Sequence, residues 1–333
     1  MKWKNRKVLV TGGAGLIGSR LVKRLNDLGA QIRVLDNLSA YPFDQCKHFG
    51  IDTLNSVEFV NGNVKDFATV EKAVVGCDFV FHLAAFADVA ATIWNPREDL
   101  ESNVLGTFNV LEASRKHGVK RYIFASSASV YGEREPENDE EFARFNETMT
   151  PSPVSTYANS KLWGEYEAKL YFSLYGLKTT CLRYFSIYGV PQVPKQRSHS
   201  WVVAIFGMYL LKGKPLLVFG DGRQIRDFVY VDEIAEATVL AAEKDASINK
   251  TINIGSGKPT SINQIAEIFT NLSDFDVPIE FKPRPKGDPF GGYADVSLMK
   301  KVLEWEPRTR IEEGVKLYYD WVRQNPGTIP EWL

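Results

Sequence analysis

"KVLVTGGAGLIGS" (Lys7–Ser19) runs from an apolar, β-branched segment through three spaced glycines into a helical pattern. The apolar part reads as a buried strand and Leu16–Leu28 as an amphipathic helix, so Gly12, Gly15 and Gly18 occupy a strand–turn–helix. Glycines there permit a tight turn and a close backbone approach to a pyrophosphate. The helix start at Leu16, Ile17 and Gly18 then offers N–H groups and a partial positive charge. A second predicted strand, "QIRVLD" (Gln31–Asp36), ends in a carboxylate that suits ribose hydroxyls and would repel a 2′-phosphate. These residues predict a bound dinucleotide, with NAD favoured over NADP. Asn63, in "GNV" after the third strand, either holds the adenine edge or serves a turn.

The same alternation continues outward. "VEFVNG" (Val57–Gly62), "DFVFHLA" (Asp78–Ala84), "RYIFASS" (Arg121–Ser127) and "TTCLRYF" (Thr179–Phe185) read as strands. Asp66–Val75, Pro96–His117 and Thr156–Tyr175 read as helices between them. Continuous apolar strands alternating with helices predict an α/β fold with a doubly wound parallel sheet, which binds ligands at the carboxyl ends of its strands. After Phe185 the rhythm gives way to proline-rich and irregular segments. Residues 1–183 with 228–255 are expected to form the cofactor domain, and 184–227 with 256–333 a smaller C-terminal substrate-binding domain. The acidic run "GEREPENDEEFARFNET" (Gly132–Thr148) reads as a solvated loop.

The 333 residues carry a formal net charge of -1, which disfavours a nucleic-acid or anionic-membrane partner. Cys46, Cys77 and Cys181 are scattered and lack a C-x-x-C pair, so neither a disulfide framework nor a zinc site is expected. No His/Cys/Asp cluster has metal-ligand spacing, and no metal is expected. Glycines interrupt the apolar N-terminal run and no segment approaches transmembrane length, so the expected setting is the cytoplasm.

"STYANSK" (Ser155–Lys161) places Tyr157 and Lys161 four apart on one helix face. Alone, such a pair is ordinary surface decoration. Here it follows a full dinucleotide site, and "ASSASVYG" presents Ser127 at a strand's carboxyl end. A phenol with a pKa near 10 is a poor base at neutral pH, and a nearby ammonium favours the phenolate.

The glycine spacing, "LDNLS", "FHLAA", "SNVLGTFNVLEASRKHGVKRYIFASSASVYG" and "YANSK" together resemble the extended short-chain dehydrogenase/reductase superfamily. Within it the chain is most similar to nucleotide-sugar epimerases of the UDP-glucose 4-epimerase type. "GDGRQIRDFVYVDEIAEA", "NIGSGKPTSI" and "YADVSLMKKVLEWEP" extend the likeness nearly to the C-terminus. The resemblance implies a Rossmann sheet and resident NAD. Tyr157 would be the acid/base, Lys161 the nicotinamide-ribose ligand and tuner of Tyr157, and Ser127 the partner of the reacting hydroxyl. It extends the cofactor contacts to Asn37, Val64, Leu83, Ala84, Ala85, Asn103, Ser126 and Tyr184. His82 is expected to be a hydrogen-bonded structural residue, and Asn103, beginning "NVLGT" on a helix expected to line the cleft, has a structural or water-holding role as its other reading. The implied reaction oxidises carbon 4 to a transient ketone, turns the sugar and reduces its other face.

Dehydratases of this superfamily carry an Asp-Glu pair, and related decarboxylases a Glu, where this chain has Ala128 and Ser129. Epimerisation is therefore the expected branch. Arg226 matches a diphosphate-binding arginine, the alternative being an ion pair with Asp227 or Asp232. Arg284 and Asp288 are further substrate candidates, although Arg284 stands four residues before Asp288 and not three. Ser186 replaces an asparagine of the usual "RYFN". Gly292 stands where glucose-restricted relatives have a tyrosine, which reads as an enlarged sugar pocket or as a turn glycine. The helices Pro96–His117 and Thr156–Tyr175 imply a homodimer. Rival readings are a glucuronate epimerase, a dehydratase, a keto-sugar reductase and a non-catalytic NAD-binding regulator.

Overall fold

The computed structural model describes residues 2–40, 54, 57–136, 141–195, 201–273, 277–284 and 290–333. Its strands begin with β1 (Lys7–Thr11), β2 (Gln31–Asp36), β3 (Val57–Asn61), β4 (Phe79–His82), β5 (Arg121–Ser127) and β6 (Arg144–Phe145). They continue with β7 (Thr179–Tyr184), β8 (Ser186–Tyr188), β9 (Leu216–Phe219), β10 (Ile225–Arg226) and β11 (Phe228–Tyr230). The last are β12 (Lys250–Ile254), β13 (Thr260–Ser261), β14 (Ile279–Lys282) and β15 (Tyr293–Ala294). Seven of them form one parallel sheet in the order β12-β7-β5-β4-β1-β2-β3. Strand order reverses between β1 and β4, so the carboxyl ends of those two strands, Thr11 and His82, open the crevice where such sheets bind ligands.

The helices are α1 (Leu16–Asp27), α2 (Phe67–Val74), α3 (Val89–Trp94), α4 (Pro96–Asp99), α5 (Gly106–Lys116) and α6 (Thr156–Tyr175). They are followed by α7 (Val202–Leu211), α8 (Val231–Glu243), α9 (Ile262–Leu272), α10 (Ser297–Leu303) and α11 (Ile311–Gln324). On one sheet face, Val70, Val74, Val110, Leu111 and Tyr171 pack with Leu9, Val80 and Phe124. On the other, Leu21, Leu25, Ile234 and Val239 pack with Val8, Val10 and Ile123. That second cluster continues into Phe206, Ile265, Phe269 and Tyr318 of the C-terminal helices.

Two departures from expectation have structural causes. The stretch expected to be one helix over Pro96–His117 is α4, a π-helical turn over Leu100–Leu105, and α5. The wider turn arises inside a continuous helical pattern that gives no local sign of it; such turns often mark functional sites. The acidic run beginning at Gly132 is also not simply a solvated loop. Its later part is a strap: β6 pairs in parallel with β15, Ala143 and Phe145 are buried, and the Phe145 ring stacks on Tyr131 at 4.9 Å. The carboxylate of Glu147 accepts a hydrogen bond from the Asn253 amide at 2.8 Å. Its partner strand lies about 150 residues away, so local composition could not reveal the strap.

Candidate active site

The turn after β1 is shaped by contacts that exclude side chains. Gly12 has φ +71°, and a Cβ there would lie 2.7 Å from the Ala84 nitrogen; at Gly18 it would lie 2.1 Å from the Gly12 carbonyl oxygen. Gly15 differs, since its Cβ would meet only the Gly12 oxygen at 3.4 Å. The chain's own packing does not require glycine there, but an approaching pyrophosphate would. Gly15 caps α1 without any side-chain hydrogen bond, so the amides of Leu16, Ile17 and Gly18 open the helix with no intrahelical acceptor. These residues fit an anionic dinucleotide.

Asp36 ends β2 with Oδ2 accepting from the Ala14 amide at 2.9 Å and Oδ1 from the Leu38 amide at 2.8 Å. Burial raises its pKa, against the pull of those backbone hydrogen bonds. The carboxylate is thereby fixed at the rim of the turn. Asn37 accepts from the Ser39 amide and hydroxyl, and Asn63 from the Lys65 amide at 3.0 Å, so both side chains build turns. Val64 is buried and faces Gly106.

At the β1/β4 switch, the Leu83 amide donates to the Thr11 carbonyl and the Ala84 amide to the Thr11 hydroxyl, and Ala85 follows on the same segment. His82 lies between Thr11 Oγ1 at 2.7 Å and Thr107 Oγ1 at 3.0 Å. Burial, with the Lys161 charge behind it, pushes the imidazole down to about 3. It is a neutral pin between β1 and α5. Asn103, on the π-turn, accepts from the Phe86 amide at 2.7 Å and donates to the Phe86 carbonyl at 3.2 Å. Its amide group therefore holds the loop after β4.

The catalytic candidates converge on the next strand. Ser155 caps α6 by accepting from the Ala158 amide, which starts the helix beside the crevice. Gly164 brings α6 against β5, for a Cβ there would overlap the Phe124 ring at 2.5 Å. This close approach seats buried Lys161 with Nζ donating to the Ala125 carbonyl at 2.8 Å. The ammonium stands 5.7 Å from the centroid of the Tyr157 ring and 5.1 Å from that of Phe124. Burial lowers Lys161 to about 8, and the charge of Asp99 opposes that shift. Burial raises Tyr157 to about 12; a hydrogen bond with Ser127 pulls down and Asp99 pushes up. The expected lowering of Tyr157 by Lys161 is thus not seen as a direct contact, because Lys161 Nζ bonds the strand carbonyl and desolvation of the phenol dominates.

Ser126 and Tyr184 point elsewhere. The Ser126 hydroxyl donates to Glu165, which forms a buried, two-pronged pair with Arg183 at 2.9 and 2.7 Å. The Tyr184 hydroxyl meets Thr238 on α8 at 2.7 Å. Their side chains tie the sheet to its helices. Sequence reading missed the Glu165–Arg183 pair; a glutamate four beyond Lys161 and an arginine inside an apolar strand were its signals.

Residues 8–255 match the NAD dependent epimerase/dehydratase family. The chain belongs to that family. It is 35% identical over 323 residues to a UDP-glucuronate 4-epimerase of Thermodesulfobacterium geofontis, covering 95% of this chain and 96% of the relative. Among solved structures it is similar to a Thermotoga maritima UDP-glucose 4-epimerase with UDP-glucose (37% identity, TM-score 0.86, 96% of this chain and 99% of that one). A Methanobrevibacter ruminantium UDP-N-acetylglucosamine 4-epimerase in complex with UDP-N-acetylmuramic acid is 31% identical, with TM-score 0.88 over 97% and 99% of the two chains. The protein is therefore an NAD-dependent epimerase of the UDP-sugar 4-epimerase group.

The epimerase's candidate substrate residues lie on or beside β8, β10, β14 and β15. Arg226 Nη1 donates to the carbonyls of Ile225 at 2.8 Å and Phe290 at 3.3 Å. The carboxylates offered as alternative partners are engaged elsewhere: Asp232 pairs with Arg20, and Asp227 receives Ser256, Gly257 and Ala294. Arg284 is exposed, with its guanidinium 6.0 Å from the Phe290 ring centroid. Ser186 opens β8, its amide bonded to the Asp227 carbonyl. Gly292 is buried, and a Cβ there would lie 2.4 Å from the Ala143 oxygen and 2.9 Å from the Phe145 ring. The strap requires glycine there for close approach and not for a turn. Asp288 lies outside the described residues. Among the described residues, no group of three or more His, Cys, Asp or Glu could hold a metal ion, and no helix is long and apolar enough to cross a membrane.

Proposed function

We propose that this epimerase inverts carbon 4 of a UDP-hexose, with Tyr157 exchanging the proton of the 4-hydroxyl and Ser127 hydrogen-bonding that oxygen. The observation that carries the reading is the buried Lys161 ammonium, bonded to the Ala125 carbonyl of β5 and 5.7 Å from the Tyr157 ring centroid, at the strand end that carries Ser127. The α1 amides, Asp36 and Lys161 would hold NAD, which would supply hydride acceptance and return for carbon 4. Ala128 and Ser129 supply no carboxylate for elimination or decarboxylation, which favours epimerisation over those branches. Residues 1–183 with 228–255 would hold the cofactor, and 184–227 with 256–333 the nucleotide sugar. Incubation with a panel of UDP-, GDP- and dTDP-sugars, without added reductant, should give epimer pairs by NMR. Stoichiometric consumption of nicotinamide would instead support a keto-sugar reductase.

The choice of sugar is read from Gly292, which stands where glucose-restricted relatives have a tyrosine. A Cβ at position 292 would overlap Ala143 and Phe145, so a tyrosine has no room there with the strap in place. UDP-N-acetylglucosamine is expected to turn over at least as well as UDP-glucose, measured as kcat/KM for both. Turnover of UDP-glucose alone would remove Gly292 as the determinant of pocket size.

The protein is also proposed to act as a homodimer. Tyr166, Leu170 and Leu174 recur at i, i+4 and i+8 on α6 and are exposed; Leu105 on the π-turn and Phe108 on α5 are exposed beside α6. An apolar stripe of this kind is characteristic of an interaction face. Light scattering after size exclusion should give twice the mass of one 37.5 kDa chain, and Leu170→Glu should restore the single-chain mass. Single-chain mass in the unaltered protein would refute the dimer.

A further inference from the structure

Asp99 takes no part in the reading above, yet it touches the middle of the site. It ends α4 at the entry to the π-turn, is 4% exposed, and accepts hydrogen bonds through Oδ1 from Asn103 Nδ2 at 2.5 Å and Ser160 Oγ at 3.1 Å. Asn103 holds the loop that leaves β4, and Ser160 is the residue before Lys161 on α6. One carboxylate therefore links the loop beside the cofactor turn to the helix bearing Tyr157 and Lys161.

The groups facing Lys161 can be named element by element. β4 contributes His82, which is neutral; β5 contributes the Ala125 carbonyl and the Phe124 ring; α6 itself contributes Tyr157. The end of α4 contributes Asp99, and its charge acts on both Lys161 and Tyr157. Among the described residues it is the one carboxylate with a resolved effect on the two. A buried anion is costly unless it is hydrogen-bonded and paired, and Asp99 has both kinds of partner.

We propose that Asp99 is a positioning residue that acts through Lys161, its buried charge holding the ammonium charged and in place beside Tyr157. This rests on the assignment of Tyr157 and Lys161 as the catalytic pair. A negative charge favours the ammonium and disfavours the phenolate, so it raises the pKa of both groups. Removing it must lower both.

Asp99→Asn keeps the shape and can accept the same two hydrogen bonds, so it removes little besides the charge. The expected result is a bell-shaped kcat profile in which both limbs move toward acid by on the order of one pH unit. Activity beyond the alkaline limb should then fall about tenfold while NAD content and Tm hold, and Asp99→Glu should return the limbs toward their original positions. Limbs that stay in place, with a uniform loss or none, would overturn the proposal. So would an unfolded Asp99→Asn, since that would make the role structural. A Tyr157→Phe enzyme that still turns over would defeat the underlying assignment. An inactive Tyr157→Phe with unmoved Asp99→Asn limbs would defeat only the role given to Asp99.

Discussion

Tyr157→Phe is expected to fold, retain NAD and lose roughly 10²- to 10⁴-fold in kcat, the range a positioned acid/base contributes. The substitution deletes one oxygen from a ring that α6 and β5 already hold. The α1 amides and Asp36, which fit the cofactor, lie on other elements and are untouched. Ser127 would keep its bond from the Ser129 amide. With Tyr157 in its proposed role at a reacting hydroxyl, the loss should appear in kcat while KM stays within a few fold. Cofactor content by absorbance after denaturation, with kcat by coupled assay, separates a chemical defect from a folding one. Near-normal kcat would eliminate Tyr157 as the acid/base.

Asp227→Ala should give the largest loss of stability, roughly 3–5 kcal/mol, as for a buried polar network deprived of its central partner. The Asp227 side chain is 1% exposed. Its Oδ1 accepts from the Ser256 amide at 2.7 Å and the Ser256 hydroxyl at 2.6 Å, and Oδ2 from the amides of Gly257 at 2.9 Å and Ala294 at 3.0 Å. Four donors from two distant segments thus meet on one residue between β10 and β11. Removing the carboxylate leaves three backbone N–H groups without this acceptor, and each unsatisfied buried donor costs about 1–3 kcal/mol. Asn at this position should cost less than Ala, because one oxygen survives while the amide nitrogen faces donors. Urea titration of both variants measures the difference. A loss below about 1 kcal/mol for Ala would show that water replaces the carboxylate.

The parts of the site legible in the sequence are those built by neighbours in the chain. Gly12, Gly15, Gly18 and Asp36 could be read because a strand, a turn and a helix follow one another within thirty residues, each with its own periodicity. Tyr157 and Lys161 could be read because one helical turn separates them. Where the side chains of Asn103, Ser126 and Tyr184 point could not be read. Each meets a partner, Phe86, Glu165 or Thr238, on another element.

Local pattern alone determined the parallel α/β architecture, the dinucleotide turn and the tyrosine–lysine face of α6, because helix and strand periods and glycine sterics act over a few residues. Only the tertiary structure decided that the acidic run becomes a strap on β15, that Asp227 gathers amides from two later segments, and that Asp99 bonds Ser160, the residue before Lys161. Those contacts join residues far apart in the chain. Their energies come from burial and from hydrogen bonds that exist only once the sheet has brought the segments together.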